Sequence, residues 1–299
     1  MVVPEPGQEA NPEARRSAVW DGETERLDRA LPELGLARSR SQASEMILAG
    51  KVALNGAIVL KAGAKTVHGS RIEVSLSDHY VSRAAHKLLR ALDEFRVDPA
   101  GKLALDLGAS TGGFTQVLLE RGARAVQAVD VGHGQLVSEL REDERVRVVE
   151  GCNARELTAE SLAELTGIAD APELVVGDLS FISLSLILPA IARVVGPQAD
   201  VVLLIKPQFE VGRVRDGVVT DPQLRAEAIR IVLRAAAENG FAANALARSP
   251  ILGGQGNQEY LGHFTRTGGL DPAEWEARIL ELAASHPEPD TESKTNGAA

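Results

Sequence analysis

The chain has 299 residues, 44% hydrophobic and 3% aromatic, enough for two domains with sizeable cores of Ala, Val, Leu and Ile. No apolar run approaches the roughly 20 residues that cross a bilayer, the N-terminus lacks an export signal's apolar stretch, and a lone cysteine, Cys152, excludes intrachain disulfides and multi-cysteine metal sites. The formal net charge is −10, yet residues 26–74 hold eight Lys/Arg against four Asp/Glu, a basic island where a polyanion can dock.

Residues 1–24, rich in Pro, Glu and Ala without apolar periodicity, read as a disordered arm. Leu27, Ala30, Leu31 and Leu34 then recur at helical spacing, and Gly35 ends that helix. Ser39 followed by Gln42 is a capping-box pattern that opens a second helix. Its Ala43, Met46 and Ile47 should face the first, and Gly50 is its stop. Asn55-Gly56 marks a two-residue hairpin, because both turn positions need positive φ. "SRIEVSL" supplies a further strand. Residues 25–77 thus form a small α+β domain whose polar side carries Arg26, Arg29, Arg38, Arg40, Lys51 and Lys61.

After a linker at 78–84, residues 85–283 alternate short apolar runs ("LALDL", "AVQAVD", "RVRVVE", "ELVVGD", "VVLLIK") with helical ones such as "DPQLRAEAIRIVLRAAAENG". That alternation predicts the α/β class, a doubly wound parallel sheet. "EYLGHF" reads as one more strand, antiparallel at an edge, and "DPAEWEARILELAA" as a last helix before a disordered tail at 284–299.

The first strand runs into "DLGASTGGF". A phosphate-cradling loop needs a Lys-Ser/Thr pair after its glycines, and none follows. A dinucleotide fingerprint needs Gly-x-Gly-x-x-Gly, which Gly108, Gly112 and Gly113 do not match. What remains is a turn behind a carboxylate, Asp106, with Ser110 and Phe114 in the same stretch. Such a turn suits S-adenosylmethionine, which carries a sulfonium and an ammonium but no phosphate. The next strand ends at Asp130-Val131, where a carboxylate can accept both ribose hydroxyls. Asn153-Ala154 falls where the adenine edge would lie. Together these stretches resemble the first motifs of Rossmann-like methyltransferases. Asp178 and Lys206 close the fourth and fifth strands, aimed at the same crevice, where Asp178 would also border the cofactor.

The string "RLDRALPELGLARSRSQASEMILAGKVALNG" resembles the alpha-L RNA-binding motif of several rRNA-modifying enzymes. That implies contact with phosphates and RNA shape, since aromatics are lacking there. Lys87 in "SRAAHKL", Asp178 in "GDLSFISL", Lys206 in "IKPQFEVGR" and Glu259 in "GNQEYL" are similar in order and context to the Lys-Asp-Lys-Glu tetrad of RrmJ/FtsJ-type 2′-O-methyltransferases. Lysine gives up its proton when burial and a second ammonium disfavour charge. Lys206 would be that base, Lys87 its neighbour, and the two carboxylates would orient and balance both.

Residues 26–283 as a whole resemble the TlyA family, with "DVGHGQL", "NAREL" and "GVVTDPQL" as further matching strings. The resemblance implies a Rossmann-like methyltransferase sheet behind a small N-terminal RNA-binding domain. It also implies S-adenosylmethionine-dependent 2′-O-methylation of cytidine in ribosomal RNA of the large subunit. The helix around Trp275–Leu282 resembles longer members that also act on the small subunit. Arg83 and Arg155 match basic positions near the RNA path. The expected partners are ribosomal RNA and ribosomal subunits, for a cytoplasmic monomer that uses neither metal nor membrane. Ala84 stands where the family usually has glycine, and the acidic arm before Arg26 is longer than expected.

His86 and His133 lack metal-ligand spacing and read as packing residues, as do Cys152, Trp20 and Trp275. The rival readings are a pseudouridine synthase, which the glycine turn opposes, a non-catalytic RNA-assembly factor, which the tetrad opposes, and a membrane-active haemolysin, which the absence of an apolar span opposes.

Overall fold

The computed structural model describes residues 15–37, 39–48, 51–59, 61–75, 80–212, 214 and 217–284. They fall into two compact units, one ending at His79 and one starting at Tyr80. Arg38, Gly50 and the expected tail from 285 onward lie outside the described residues.

The first unit contains β1 (Arg15–Val19), β2 (Glu25–Arg26), α1 (Leu27–Glu33), α2 (Arg40–Leu48), β3 (Val52–Leu54), β4 (Ala57–Ile58), β5 (Lys65–Thr66) and β6 (Arg71–Ser75). A four-stranded sheet in the order β1-β6-β3-β4 stands beside the pair β2-β5. Leu27, Ala30 and Leu31 of α1 and Ala43 and Ile47 of α2 are fully buried in one cluster, as the helical spacing predicts. The Gln42 N–H donates to Ser39 Oγ at 3.2 Å, capping α2. Asn55 and Gly56 take φ of 52° and 83°, closing the β3–β4 hairpin.

The arm departs from expectation. Residues 15–19 pair antiparallel with β6, and Trp20, 6% exposed, enters the core. "RRSAV" has no apolar alternation to announce a strand; its order comes from the free edge of β6 and from the anchoring indole, both non-local.

Asp28, 2% exposed, gathers two of the basic side chains. Arg26 donates to it through Nε and Nη2, both at 2.9 Å, and Arg40 through Nε at 3.0 Å. The Arg26 hydrogen bond, working against burial, lowers the Asp28 carboxyl to about 2. Arg29 lies 3.7 Å from Glu25. Three of the basic side chains are therefore held in place by carboxylates. Arg26 and Arg40 stay about half exposed.

The second unit contains α3 (Ala85–Phe95), β7 (Leu103–Leu107), α4 (Gly113–Glu120), β8 (Ala125–Val129), α5 (Ser138–Arg141), β9 (Val146–Val149), α6 (Ala159–Thr166), β10 (Leu174–Gly177), α7 (Leu188–Val194), β11 (Asp200–Ile205), α8 (Pro207–Glu210), α9 (Pro222–Glu238), β12 (Ala242–Arg248), β13 (Tyr260–Thr265) and α10 (Glu276–Ala284). One seven-stranded sheet has the order β12-β13-β11-β10-β7-β8-β9. β7 to β11 are parallel neighbours where they pair. Their runs are apolar throughout because helices cover both faces. Strand alternation sends Leu105, Val175, Leu203 and Ile205 towards Ile191, Ile229 and Ile279 on one face. Ala104, Val176, Val202 and Leu204 join Leu88, Leu92 and Val117 on the other.

β13 is antiparallel, as expected, but it is not at the edge. It lies between β11 and β12. The edge belongs to β12, "AANALAR", whose alanines carry no strand signal. Pairing with β13 makes it a strand.

Asp28→Asn should lower the melting temperature of the first unit at pH 7, followed by Trp20 fluorescence in a Trp275→Phe background. A carboxyl lowered from 3.8 to about 2 stabilises fully above pH 4 and loses that effect as pH falls to 2. The gap between variant and wild type should close over that window.

Candidate active site

The carboxyl ends of β7, β10 and β11 and the beginning of antiparallel β13 open on one end of the sheet, where strand order reverses around β7. Gly108 follows β7 with φ 83°, and its hypothetical Cβ would stand 3.4 Å from the Asp178 carbonyl oxygen. Asp178 follows β10, its N–H donating to the Leu107 carbonyl at 3.2 Å. Lys206 follows β11, Glu259 precedes β13, and Lys87 sits on the first turn of α3.

These four side chains meet. Lys87 Nζ lies 2.6 Å from Glu259 Oε2 and 3.6 Å from Asp178 Oδ2. Lys206 Nζ lies 2.7 Å from Asp178 Oδ1 and donates to Ser180 Oγ at 2.8 Å. Lys87, Lys206 and Glu259 are 5%, 6% and 2% exposed, so the charges balance one another rather than through solvent. Asp178 is the bridge between the two ammonium groups.

Beside them is a cavity of about 570 Å³, within the range of small-molecule sites. Gly108, Ser110, Asp130, Val131, Asn153, Ala154, Arg155 and Asp178 all line it. The Asp130 carboxylate accepts the Ser110 N–H at 2.8 Å and the Gly132 N–H at 2.7 Å, which fixes its orientation. Asn153 Oδ1 accepts the Arg155 N–H at 3.2 Å. A smaller neighbouring cavity of about 180 Å³ shares Gly108, Ser110 and Asp178 and adds Gly113, Phe114 and Lys206. The two spaces adjoin at Asp178.

Of the residues expected to touch a cofactor, Gly112 and Asp106 line neither cavity. At Gly112 φ is 103°, and a Cβ there would overlap Leu140 and stand 2.8 Å from Leu136, so glycine is needed for backbone shape and for packing. At Gly113 a Cβ would come 2.8 Å from Ser82. Asp106 is fully buried. Its place in β7 turns it towards α4, where Thr115 Oγ1 donates to Oδ2 at 2.7 Å and Oδ1 has no hydrogen-bond partner among the described residues. Burial pushes this carboxyl up to about 7, opposed by the Thr115 bond and helped by the Asp178 charge.

Arg155 is exposed on the cavity wall and Arg83 just ahead of α3, neither with a carboxylate partner among the described residues. His86 packs edge-on against Tyr80, and the His133 ring fills the space over Gly151. Cys152 is half-buried, and burial raises its thiol pKa.

Three further residues escaped the sequence reading. Ser180 anchors Lys206. Phe181 is 90% exposed at the cavity rim with φ 64°, a strained setting for an aromatic residue, and its ring centroid lies 5.2 Å from that of Phe209. Glu210 accepts Ser183 Oγ at 2.6 Å and the Leu184 N–H at 2.9 Å, tying the segment after β11 to that after β10. Burial pushes its carboxyl upward. Each lies within four residues of Asp178 or Lys206, the one signal that could have drawn attention to them.

Residues 80–266 match the FtsJ-like methyltransferase family and residues 25–71 the S4 domain. The chain is 48% identical over 240 residues to a Mycobacterium tuberculosis protein named 16S/23S rRNA (cytidine-2′-O)-methyltransferase TlyA, covering 79% of this chain and 87% of that one. It is 41% identical to Hemolysin A of Brachyspira hyodysenteriae, covering 80% and 99%. A solved structure from Streptococcus thermophilus that also carries a hemolysin name superposes with a TM-score of 0.67 at 38% identity, over 88% of this chain and 95% of that one.

A carboxyl raised from 3.8 to about 7 holds a proton in the folded state that the unfolded chain has released, so its contribution to stability falls as pH rises across that window. Asp106→Asn should remove that decline and melt above wild type at pH 8, read from Trp275 fluorescence in a Trp20→Phe background.

Proposed function

The chain belongs to the TlyA family of FtsJ-like ribosomal RNA methyltransferases, and from that premise we propose that it methylates the ribose 2′-oxygen of a cytidine in ribosomal RNA with S-adenosylmethionine. The observation that carries this reading is the meeting of Lys87, Asp178, Lys206 and Glu259 at the junction of the two cavities.

The larger cavity suits the cofactor. Its oriented Asp130 carboxylate suits a pair of ribose hydroxyls, Asn153 and Ala154 suit an adenine edge, and Asp178 suits a cationic centre. When bound, S-adenosylmethionine supplies a methyl group on a sulfonium sulfur, an electrophile that needs no metal. The rest of the chemistry falls to the protein. Lys87 stands against two carboxylates, whereas Lys206 has one shared carboxylate and a neutral hydroxyl. Lys206 is thus the group assigned to take the 2′-hydroxyl proton on Nζ. Lys87, held by two carboxylates, is the group assigned to favour the developing oxyanion. Asp178 and Glu259 fix both ammonium groups, so nucleophile and methyl meet without reorganisation of charge. Phe181 offers a ring face on which the target base can stack.

The S4 domain supplies RNA affinity through Arg26, Arg29, Arg38, Arg40, Lys51 and Lys61, and Arg83 and Arg155 add contacts on the methyltransferase domain. A cytoplasmic enzyme fits a ribosomal RNA substrate. Large-subunit RNA is the primary target, with small-subunit RNA a second, as both appear in the M. tuberculosis relative's name. The hemolysin name of other relatives finds little support in the fold: no helix among the described residues is long and apolar enough to cross a membrane.

Lys206→Ala should lower methyl transfer about 10²- to 10⁴-fold while leaving cofactor affinity nearly unchanged; near-normal turnover would remove Lys206 from the base role. Arg26→Ala and Arg40→Ala should each reduce the slope of log K against log salt for rRNA binding by about 1. Mapping 2′-O-methylation on ribosomes from cells with and without the gene tests the whole reading. One cytidine methyl should be missing from the large subunit, and finding none missing on either subunit would overturn it.

A further inference from the structure

Gly253 is buried in the loop between β12 and β13, six residues before Glu259. The loop is held at its base by the Ser249 N–H to the Glu259 carbonyl at 3.0 Å, and across by the Gly253 N–H to the Asn257 carbonyl at 2.8 Å. Gly253 does not have positive φ, unlike Gly256 in the same loop at 87°. Backbone conformation therefore gives no reason for glycine at 253. Space does. A Cβ built on Gly253 would overlap Glu259 Oε1 and stand 2.6 Å from Cδ and 3.1 Å from Cγ. The volume a side chain would fill is occupied by the carboxylate that pairs with Lys87 through its other oxygen.

We propose that Gly253 is a positioning residue of the reaction: its missing side chain forms the seat that holds the Glu259 carboxylate against Lys87. This rests on the methyltransferase reading above. A methyl group at 253 meets the far end of a flexible side chain, which can turn aside, so the fold tolerates it and the ion pair does not. With Glu259 turned away, Lys87 has only Asp178, 3.6 Å distant, which Lys206 already holds at 2.7 Å. Both ammonium groups then compete for one carboxylate, and the difference between charged partner and base is lost. Gly253 and Glu259 line neither cavity, so cofactor binding is spared.

The test compares Gly253→Ala, Glu259→Asp and the double variant in the full chain. Gly253→Ala should lower kcat about 10- to 100-fold, the range expected when a supporting group is displaced by about an ångström, with melting temperature and S-adenosylmethionine affinity at wild-type values. Aspartate is one methylene shorter and clears the added methyl. Adding Glu259→Asp to Gly253→Ala should therefore cost no further activity, or restore some, rather than multiply the losses. Lysine-selective ¹³C NMR of the chain without RNA gives a readout independent of turnover. The Lys87 Cε resonance of Gly253→Ala should move towards its position in Glu259→Gln. An unmoved resonance, multiplicative losses, or a kcat drop matched by falling stability and cofactor affinity would each overturn the proposal. If the resonance moves but the wild-type chain methylates no ribosomal RNA, the seat stands and the assigned reaction falls.

Discussion

Two lysine ammonium groups drawn into one dry cleft repel each other, and each also loses its hydration on burial. Nothing in the local sequence of either lysine offsets that cost. The Asp178 carboxylate does so by presenting one oxygen to each, 2.7 Å from Lys206 and 3.6 Å from Lys87, while Glu259 supplies the second negative charge at 2.6 Å from Lys87. The arrangement is neutral in sum but unequal in detail, and in the proposed reaction that inequality sets Lys206 apart from Lys87. Around this bridge everything else is support: Ser180 on Lys206, Glu210 between the two segments, and the turn at Gly108 against the Asp178 backbone.

The sheet makes the convergence geometrically cheap. Parallel strands deliver the residues that follow them to one end, so Gly108, Asp178 and Lys206 arrive together although about a hundred residues separate the first from the last. An antiparallel strand reverses this and delivers the residue that precedes it, as β13 does with Glu259, opposite the end of β11. Its insertion between β11 and β12 is a functional feature of the topology. At the edge, Glu259 would be one strand further from Lys206.

Periodicity and turn chemistry made much of this legible in advance. The apolar runs of β7 to β11, the hairpin at Asn55-Gly56 and the α1–α2 pair rest on local rules that the chain obeys. What stayed hidden was decided by partners distant in sequence. β12 is rich in alanine and becomes a strand through β13; β1 does so through β6. At the site, the strand-end residues of the tetrad were readable because strand ends are readable. The distinction among the glycines was not. Gly108 serves the cavity, Gly112 serves Leu136 and Leu140, and only a neighbour in space separates those roles. Asp106 likewise sits in a motif string that suggests a direct contact, while strand alternation turns it to the α4 side. The basic residues of the first unit were visible as charge, but their gathering on Asp28 was not.

The larger cavity is lined wholly by residues between Gly108 and Ile187, whereas Lys87 comes before that interval and Glu259 well after it. In the order in which a ribosome releases the chain, the walls of this cavity emerge long before the counter-ion of Lys87. A nascent or truncated chain ending ahead of β13 thus contains a full set of pocket walls and an unbalanced ammonium. Cavity and charge balance are separated along the direction of synthesis, and the last-made strand is the one that completes the cluster.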